Sequence, residues 1–377
     1  MKKLFLLVAL VVTCSIATYI LLPPQIPISP LGTTIENGDN SNNQNDYIIL
    51  GFAPYWNMKK LSAESLDTIT HFAYFALHLR GTGDLYTTVN SREEDPGYTN
   101  YKRLLNAPSY KNLILTFMQE DEDALVNMLA SSTSRQNAIQ NIVSTVKEAN
   151  AVGVNIDLEP VGTTTATIRD NFTLFIKELH SQLDQMDKLL SVSIYASAAA
   201  RPRLWDLPKL ESYVDYFVVM TYDYTMPKSE RAGPNSPLRD FSGEFEHSII
   251  KNLGELTSSV PSSKLLLGIP LYGYEWDTVD GSKYAPTESR GVTASLERIE
   301  SMLQDRTLEL IWDRNSLTPY GVSTESGSPT QIYFENETSI RLKLELVKSS
   351  GLGGIALWAL GYDNNVSWLW PTLKSLR

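Results

Sequence analysis

A single cysteine and four histidines in 377 residues leave this chain short of the material for two kinds of site. Cys14 cannot form a disulfide within the chain, and so few histidines offer no cluster with metal-ligand spacing. The sequence offers no nucleotide site either, so no cofactor is expected. Positive charge is also scarce. Lys and Arg number 32 against 43 Asp and Glu, the net charge is −11, and no basic run offsets it. That balance argues against nucleic acid as a partner. Long apolar runs are confined to one place. Residues 4–22 carry no charge and are about long enough to span a bilayer as a helix. Lys2 and Lys3 precede the run and no basic residue follows before Lys59, which orients the N-terminus to the cytoplasm and the bulk outside. Ser15-Ile16-Ala17 has the small-x-small form of a cleavage site, yet apolar residues continue to Leu22. The expectation is an uncleaved membrane anchor, with a cleaved signal peptide as the alternative. Either way the remainder is extracytoplasmic, membrane-anchored or secreted. Residues 23–46, rich in Pro, Asn, Gly and Asp, read as a flexible linker.

From residue 47 onward the composition is that of an ordinary globular protein. Strand-like runs fall at 48–53, 70–77, 112–118, 154–159, 189–196, 216–222, 264–272 and 353–360. Amphipathic segments separate them, the pattern of a βα-repeated fold with a parallel sheet. Ile139, Ile142, Val143 and Val146 share one helical face, and so do Ile168, Phe172, Phe175, Ile176, Leu179 and Leu183. Eight strands are what a closed (β/α)8 TIM barrel requires, so the fold class is α/β, with the barrel over 47–377. The stretch 277–337 after the seventh strand is far longer than a usual connection. A helical pattern at 294–303 and strand-like runs at 308–312 and 331–334 make it a small α+β insertion. Residues 363–376 read as a closing helix.

The chemistry points to Gly153-Val154-Asn155-Ile156-Asp157-Leu158-Glu159. Val154, Ile156 and Leu158 alternate with Asn155, Asp157 and Glu159, the period of a strand, so the three polar groups share a face. Polar groups on the inward face of a buried strand are costly unless paired or in use. Pro160 and Gly162 end the strand and leave Glu159 at its tip. A neighbouring carboxylate and apolar walls raise a pKa, as a general acid near neutral pH requires. Asn155 is uncharged and can donate a hydrogen bond to Asp157.

This strand resembles the Asp-Gly-x-Asp-x-Asp-x-Glu signature of the chitinase-like glycoside hydrolases of family 18. Gly153, Asp157 and Glu159 match it; Val152 and Asn155 depart from it, and Asn at the latter position resembles the branch that includes spore-peptidoglycan hydrolases. Met220-Thr221-Tyr222-Asp223 resembles the family's Met-x-Tyr-Asp motif, and Gly233-Pro234-Asn235-Ser236-Pro237-Leu238 its Gly-Pro-x-Ala-Pro-Leu loop. The seventh and eighth strands agree in order, the latter bringing Trp358. In the third strand Leu115-Thr116-Phe117-Met118-Gln119 stands where the family often has Ser-x-Gly-Gly.

The resemblance implies an exported enzyme cleaving β-1,4 bonds of N-acetylglucosamine-containing glycans of chitin or peptidoglycan type. It implies retention of configuration with the substrate's acetamido group as nucleophile. Glu159 would be the acid, Asp157 would hold the acetamido N–H, and Tyr222 would orient its oxygen. Asn155, Asp223, Trp358, Tyr55, Tyr74 and Tyr272 would line the sugar site, with Trp358 as its apolar floor. Several family members have lost the acid and survive as lectins, so a carbohydrate-binding protein is the alternative. A monomer without metal is expected, with a polysaccharide or oligosaccharide as its partner.

Overall fold

The computed structural model describes residues 47–377, apart from Ser91, 108–109, Val161, Thr163, 241–246 and 324–326. The anchor or signal peptide at 1–22 and the linker at 23–46 lie outside the described residues. Among the described residues no helix is long and apolar enough to cross a membrane.

Seven barrel strands lead up to the insertion: β1 (Ile48–Pro54), β2 (His71–His78), β3 (Leu113–Gln119), β4 (Gly153–Leu158), β5 (Leu189–Tyr195), β6 (Tyr216–Met220) and β7 (Leu265–Pro270). Five more, β8 (Tyr272–Asp277), β9 (Val292–Ser295), β10 (Glu309–Asp313), β11 (Thr318–Ser323) and β12 (Thr330–Tyr333), precede β13 (Gly354–Trp358). The barrel closes in the order β1-β13-β7-β6-β5-β4-β3-β2, with its neighbours parallel. Every residue of β1 and β4 is buried, because the barrel lumen lies on one side and a layer of helices on the other. That is why β1 reads as a continuous apolar run and why Asn155 and Asp157 stand out in β4.

The two long helices form where the sequence caps them. Ser131 accepts from the Ser134 amide to start Ser132–Ala149, and Asn150 ends it in the left-handed region at φ 49°. Thr165 accepts from the Ile168 amide to start Ala166–Asp184. The latter buries Ile168, Phe172, Phe175, Ile176, Leu179 and Leu183, the face read from the sequence.

Two elements differ from expectation. Only Leu369–Lys374 of 363–376 is helical. Asn365 adopts φ 62°, and Asp363 takes hydrogen bonds from the Gly361 amide and the Trp370 indole, both at 2.9 Å, so the chain turns before it coils. The insertion is a five-stranded antiparallel sheet in the order β9-β8-β12-β11-β10, and it already includes Tyr272–Asp277, ahead of residue 277. Its Tyr272, Tyr274, Trp276, Tyr284, Tyr320 and Tyr333 form one aromatic cluster that Tyr222 and Trp358 of the barrel join. The sheet is thereby packed on the ends of β6 and β13, where barrel active sites sit.

Candidate active site

Strand β4 delivers the acidic residues. Asn155 is fully buried and Asp157 is 5% exposed, both facing the barrel interior. Glu159 lies one residue past the strand, half-buried, its amide donating to the Gln119 carbonyl at 3.0 Å. Register places Asn155 beside Ser191 on β5 and Thr116 on β3, and Asp157 beside Met118. The Asn155 amide nitrogen donates to Ser193 Oγ at 2.9 Å, and its oxygen accepts from Ser191 Oγ at 2.9 Å. The expected donation from Asn155 to Asp157 is therefore replaced. Two serines, two residues apart on β5, take up the Asn155 amide instead.

Burial dominates the electrostatics. It pushes Asp157 well above the usual carboxylate range, and the charge of Glu159 adds to this while the Ser193 hydroxyl opposes it. Glu159 rises from 4.5 to about 7, first by burial and then by the charges of Glu120 and Asp223, against one hydrogen bond from Tyr195. That bond, Tyr195 Oη to Glu159 Oε2, is long at 3.4 Å. Arg203 lies over the Tyr195 ring at 5.0 Å and donates to the Pro160 carbonyl at 3.3 Å. The two carboxyls titrate as a pair that keeps a proton near neutrality. Asp157 Oδ1 is buried and has no hydrogen-bond partner among the described residues.

Tyr222 and Asp223 arrive from the end of β6. Burial pushes the Tyr222 hydroxyl up, and the negative charges of Asp157, Asp223 and Glu159 add to this. Gly268 is glycine because a Cβ there would sit 2.4 Å from the Val219 carbonyl and 2.9 Å from the Tyr222 ring. Asp223 takes a left-handed φ of 61° and accepts from the hydroxyls of Tyr272 and, at 2.8 Å, Tyr274. The loop 233–238 fixes that turn. Asn235 Oδ1 accepts from the Asp223 amide at 2.8 Å, the Asn235 carbonyl accepts from the Tyr224 amide at 3.1 Å, and Ser236 Oγ donates to the Thr221 carbonyl.

The remaining expected residues differ in what they offer. Trp358 is half-buried at the end of β13, edge-on to Phe75 at 4.5 Å and Phe52 at 5.9 Å between ring centres. The peptides Phe75–Ala76 and Trp358–Ala359 are cis. Tyr272 is buried with its hydroxyl on Asp223. Tyr55 is half-buried at the end of β1. Tyr74 is fully buried and spends its hydroxyl on the Gly97 carbonyl, so it stands in the wall behind the site.

Sequence reasoning passed over Ser191, Ser193, Tyr195, Asn235 and Trp56. The signal for the first three was the polar alternation of β5, which acquires meaning only beside Asn155. Trp56 is 49% exposed and stands edge-on to Tyr55 at 4.8 Å, on the rim next to the strand tip. In β3, Met118 joins the barrel core cluster, and Gln119 is bound to the Leu79 carbonyl and, at 2.7 Å, the Asp121 amide. Thr116 Oγ1 is buried without a partner among the described residues, and the hydroxyls that bond Asn155 come from β5. Among the described residues no group of three or more His, Cys, Asp or Glu is arranged to hold a metal ion.

Comparison with known proteins gives a consistent result. The family Glycosyl hydrolases family 18 matches residues 36–363. A Bacillus subtilis protein provisionally designated a sporulation-specific glycosylase, YdhD, is 26% identical over 290 residues, 76% of this chain and 64% of that one. The chain thus spans less than two thirds of that relative's own length. A class V chitinase of Lotus japonicus, CHIT5, is 24% identical over 83% of each chain. The crystal structure of a GH18 chitinase from Cycas revoluta in complex with (GlcNAc)3 superposes with a TM-score of 0.75 at 18% identity. That superposition covers 87% of this chain and 99% of the other, and shows the shared fold. Since the family match takes in every barrel strand and stops only at Asp363, the likeness first carried by Gly153, Asp157 and Glu159 extends to the whole barrel, and the chain belongs to family 18 of the glycosyl hydrolases.

Proposed function

We propose that this protein is a retaining glycosidase that cleaves β-1,4 bonds in glycans built on N-acetylglucosamine, using the substrate's acetamido group as nucleophile. The observation that carries this reading is Asp157 Oδ1. It is a buried acceptor without a donor among the described residues, beside an acid that keeps its proton to about pH 7. An acetamido N–H is the kind of donor it lacks. With that N–H on Asp157, Glu159 protonates the glycosidic oxygen and the bond to the anomeric carbon breaks. The acetamido carbonyl oxygen attacks that carbon from the opposite face and an oxazolinium ion forms, its positive charge opposed by Asp157. The Tyr222 hydroxyl orients the carbonyl. Water deprotonated by Glu159 then opens the ring, so configuration is retained and the acid is restored. Chitin and peptidoglycan both present such a unit. The apolar run at 4–22 behind Lys2 and Lys3 supports an enzyme acting outside the cytoplasm, tethered or secreted.

The test incubates the full-length protein with chitooligosaccharides and with peptidoglycan, followed by mass spectrometry and by NMR of the anomeric configuration. New reducing ends released as the β-anomer are expected. Inverted product would remove the acetamido mechanism, and tight binding without any cleavage would make the protein a lectin.

A further inference from the structure

We propose that Tyr274, on the first strand of the insertion, is a positioning residue that turns Asp223 so that its second carboxylate oxygen, Oδ2, accepts a hydroxyl of the bound sugar. The step to substrate rests on the glycosidase reading. The geometry around Asp223 stands without it.

Two phenols from one face of β8 converge on this carboxyl. Tyr272 and Tyr274 are two apart on the strand, so their side chains point the same way. Gly273 between them lets β8 lie close to β12, since a Cβ there would meet the Tyr333 carbonyl at 2.1 Å. The Tyr274 ring is edge-on to Tyr272 at 5.4 Å and to Trp276 at 5.8 Å. The Trp276 indole donates to the Pro227 carbonyl at 3.1 Å, which ties this aromatic row to the loop that follows Asp223. Both tyrosine hydroxyls donate to the same atom, Asp223 Oδ1, that of Tyr274 from 2.8 Å. Both residues are buried, so little water competes for that oxygen.

Asp223 is therefore gripped from two sides. Asn235 Oδ1 holds its backbone amide at 2.8 Å, and Oδ1 of its own side chain is bound twice. Oδ2 has no hydrogen-bond partner among the described residues, yet it is not enclosed either, so it reaches solvent. Tyr222 and Trp358 pack against the same tyrosines, which puts the open oxygen with the other expected sugar contacts. A carboxylate oxygen can only accept while ionised, and a sugar hydroxyl is a donor. Burial pushes the Asp223 carboxyl up, and the two neutral phenols pull it back toward the ionised form. The other titratable groups nearby are Glu159 and Tyr222, which feel the charge of Asp223, and Tyr362, which acts on Tyr274. Tyr274→Phe leaves all of these in place and removes one donor.

The test is a 13C carboxyl NMR titration of the full chain labelled at aspartate, with Asp223→Asn to assign the resonance, beside kinetics on chitotetraose. Tyr274→Phe is expected to raise the apparent pKa of Asp223. It should also lower kcat/KM about 10-fold, the low end for one hydrogen bond to a charged group. Most of that loss should appear in KM, because the sugar contact exists before the reaction as well as during it. Should Tyr274→Phe fail to fold, Tyr272→Phe removes the other donor from the same oxygen and moves both readings the same way. Tyr320→Phe is the control. Its ring stacks on Tyr333 at 5.0 Å in the same cluster, and losing its hydroxyl should move neither reading. An Asp223 pKa left unchanged or lowered by Tyr274→Phe overturns the proposal, and so does an unaltered KM. An equal effect from Tyr320→Phe also overturns it, since the cluster would then act only by general packing. A parent that cleaves no glycan refutes the hydrolase reading alone. The titration, with calorimetric binding of chitotetraose weakened about 10-fold in Tyr274→Phe, then still decides the role of Tyr274.

Discussion

Glu159 keeps its proton to about pH 7 because half-burial and the nearby charges of Glu120 and Asp223 outweigh the single long bond from Tyr195. The acid form carries the first step, so kcat/KM should decline as pH rises through about 7, measured on chitooligosaccharides from pH 4 to 9. Glu159→Gln preserves shape and removes the proton. It should lower kcat about 10²- to 10⁴-fold while calorimetry still detects oligosaccharide binding. Retention of most of the rate would mean that another group is the acid. Asn155→Asp is the second residue-scale prediction. The new carboxylate has no donor for Ser193, draws the Ser193 proton to itself and adds negative charge beside Asp157, so Asp157 protonates more readily. The acid limb should shift to higher pH with an added titration, and superimposable profiles would defeat this expectation.

Among the elements, the loop 233–238 and the helix Glu337–Ser349 form the support behind Tyr222. Lys343 on that helix is fully buried, ion-pairs with the buried Glu335 at 2.5 Å and donates to Ser236 Oγ at 2.9 Å. Ser236 in turn holds the Thr221 carbonyl, next to Tyr222. Lys343→Met leaves Glu335 without its cation, and breaking a buried pair from one side typically costs about 3–5 kcal/mol. Burial already raises the Glu335 pKa and Lys343 pulls it down, so in Lys343→Met the loss should grow as pH rises. Adding Glu335→Gln should recover much of it, as a double-mutant cycle in denaturant would measure. The legibility of elements in the sequence obeys the same physics. Barrel strands buried on both faces show as apolar runs, and Asp157 and Glu159 stand out by alternation within one strand. Strand β11, Thr-Pro-Tyr-Gly-Val-Ser, hides behind its Pro and Gly and is specified by its pairing with β10 and β12. The partnership of Asn155 with Ser191 and Ser193 is equally hidden, since residues 36 and 38 apart meet only through strand register.

For the whole molecule, the site is a place where folding stability is given up. Asp157, Glu159 and Asp223 all have carboxyl pKa values raised by burial in the folded state. A raised folded pKa means that the native state binds more protons than the unfolded chain, so stability falls as pH rises from the ordinary carboxylate range through the folded value. For Glu159 the rise from 4.5 to about 7, at 1.36 kcal/mol per pH unit, corresponds to about 3 kcal/mol lost once the pH is well above 7. Glu159→Gln removes that ionisation while keeping an acceptor for Tyr195. The inactive variant should therefore be more stable than the parent at pH 8, with a midpoint of thermal unfolding several degrees higher. The gain should shrink through pH 7 and be gone by about pH 4, where both folded and unfolded carboxyls of the parent are protonated. Thermal unfolding of parent and variant at pH 4, 6 and 8 measures it. Equal midpoints at pH 8 would mean that Glu159 is better solvated or better paired than its surroundings indicate. A gain that persists undiminished at pH 4 would mean that the amide stabilises the fold by some contact unrelated to charge.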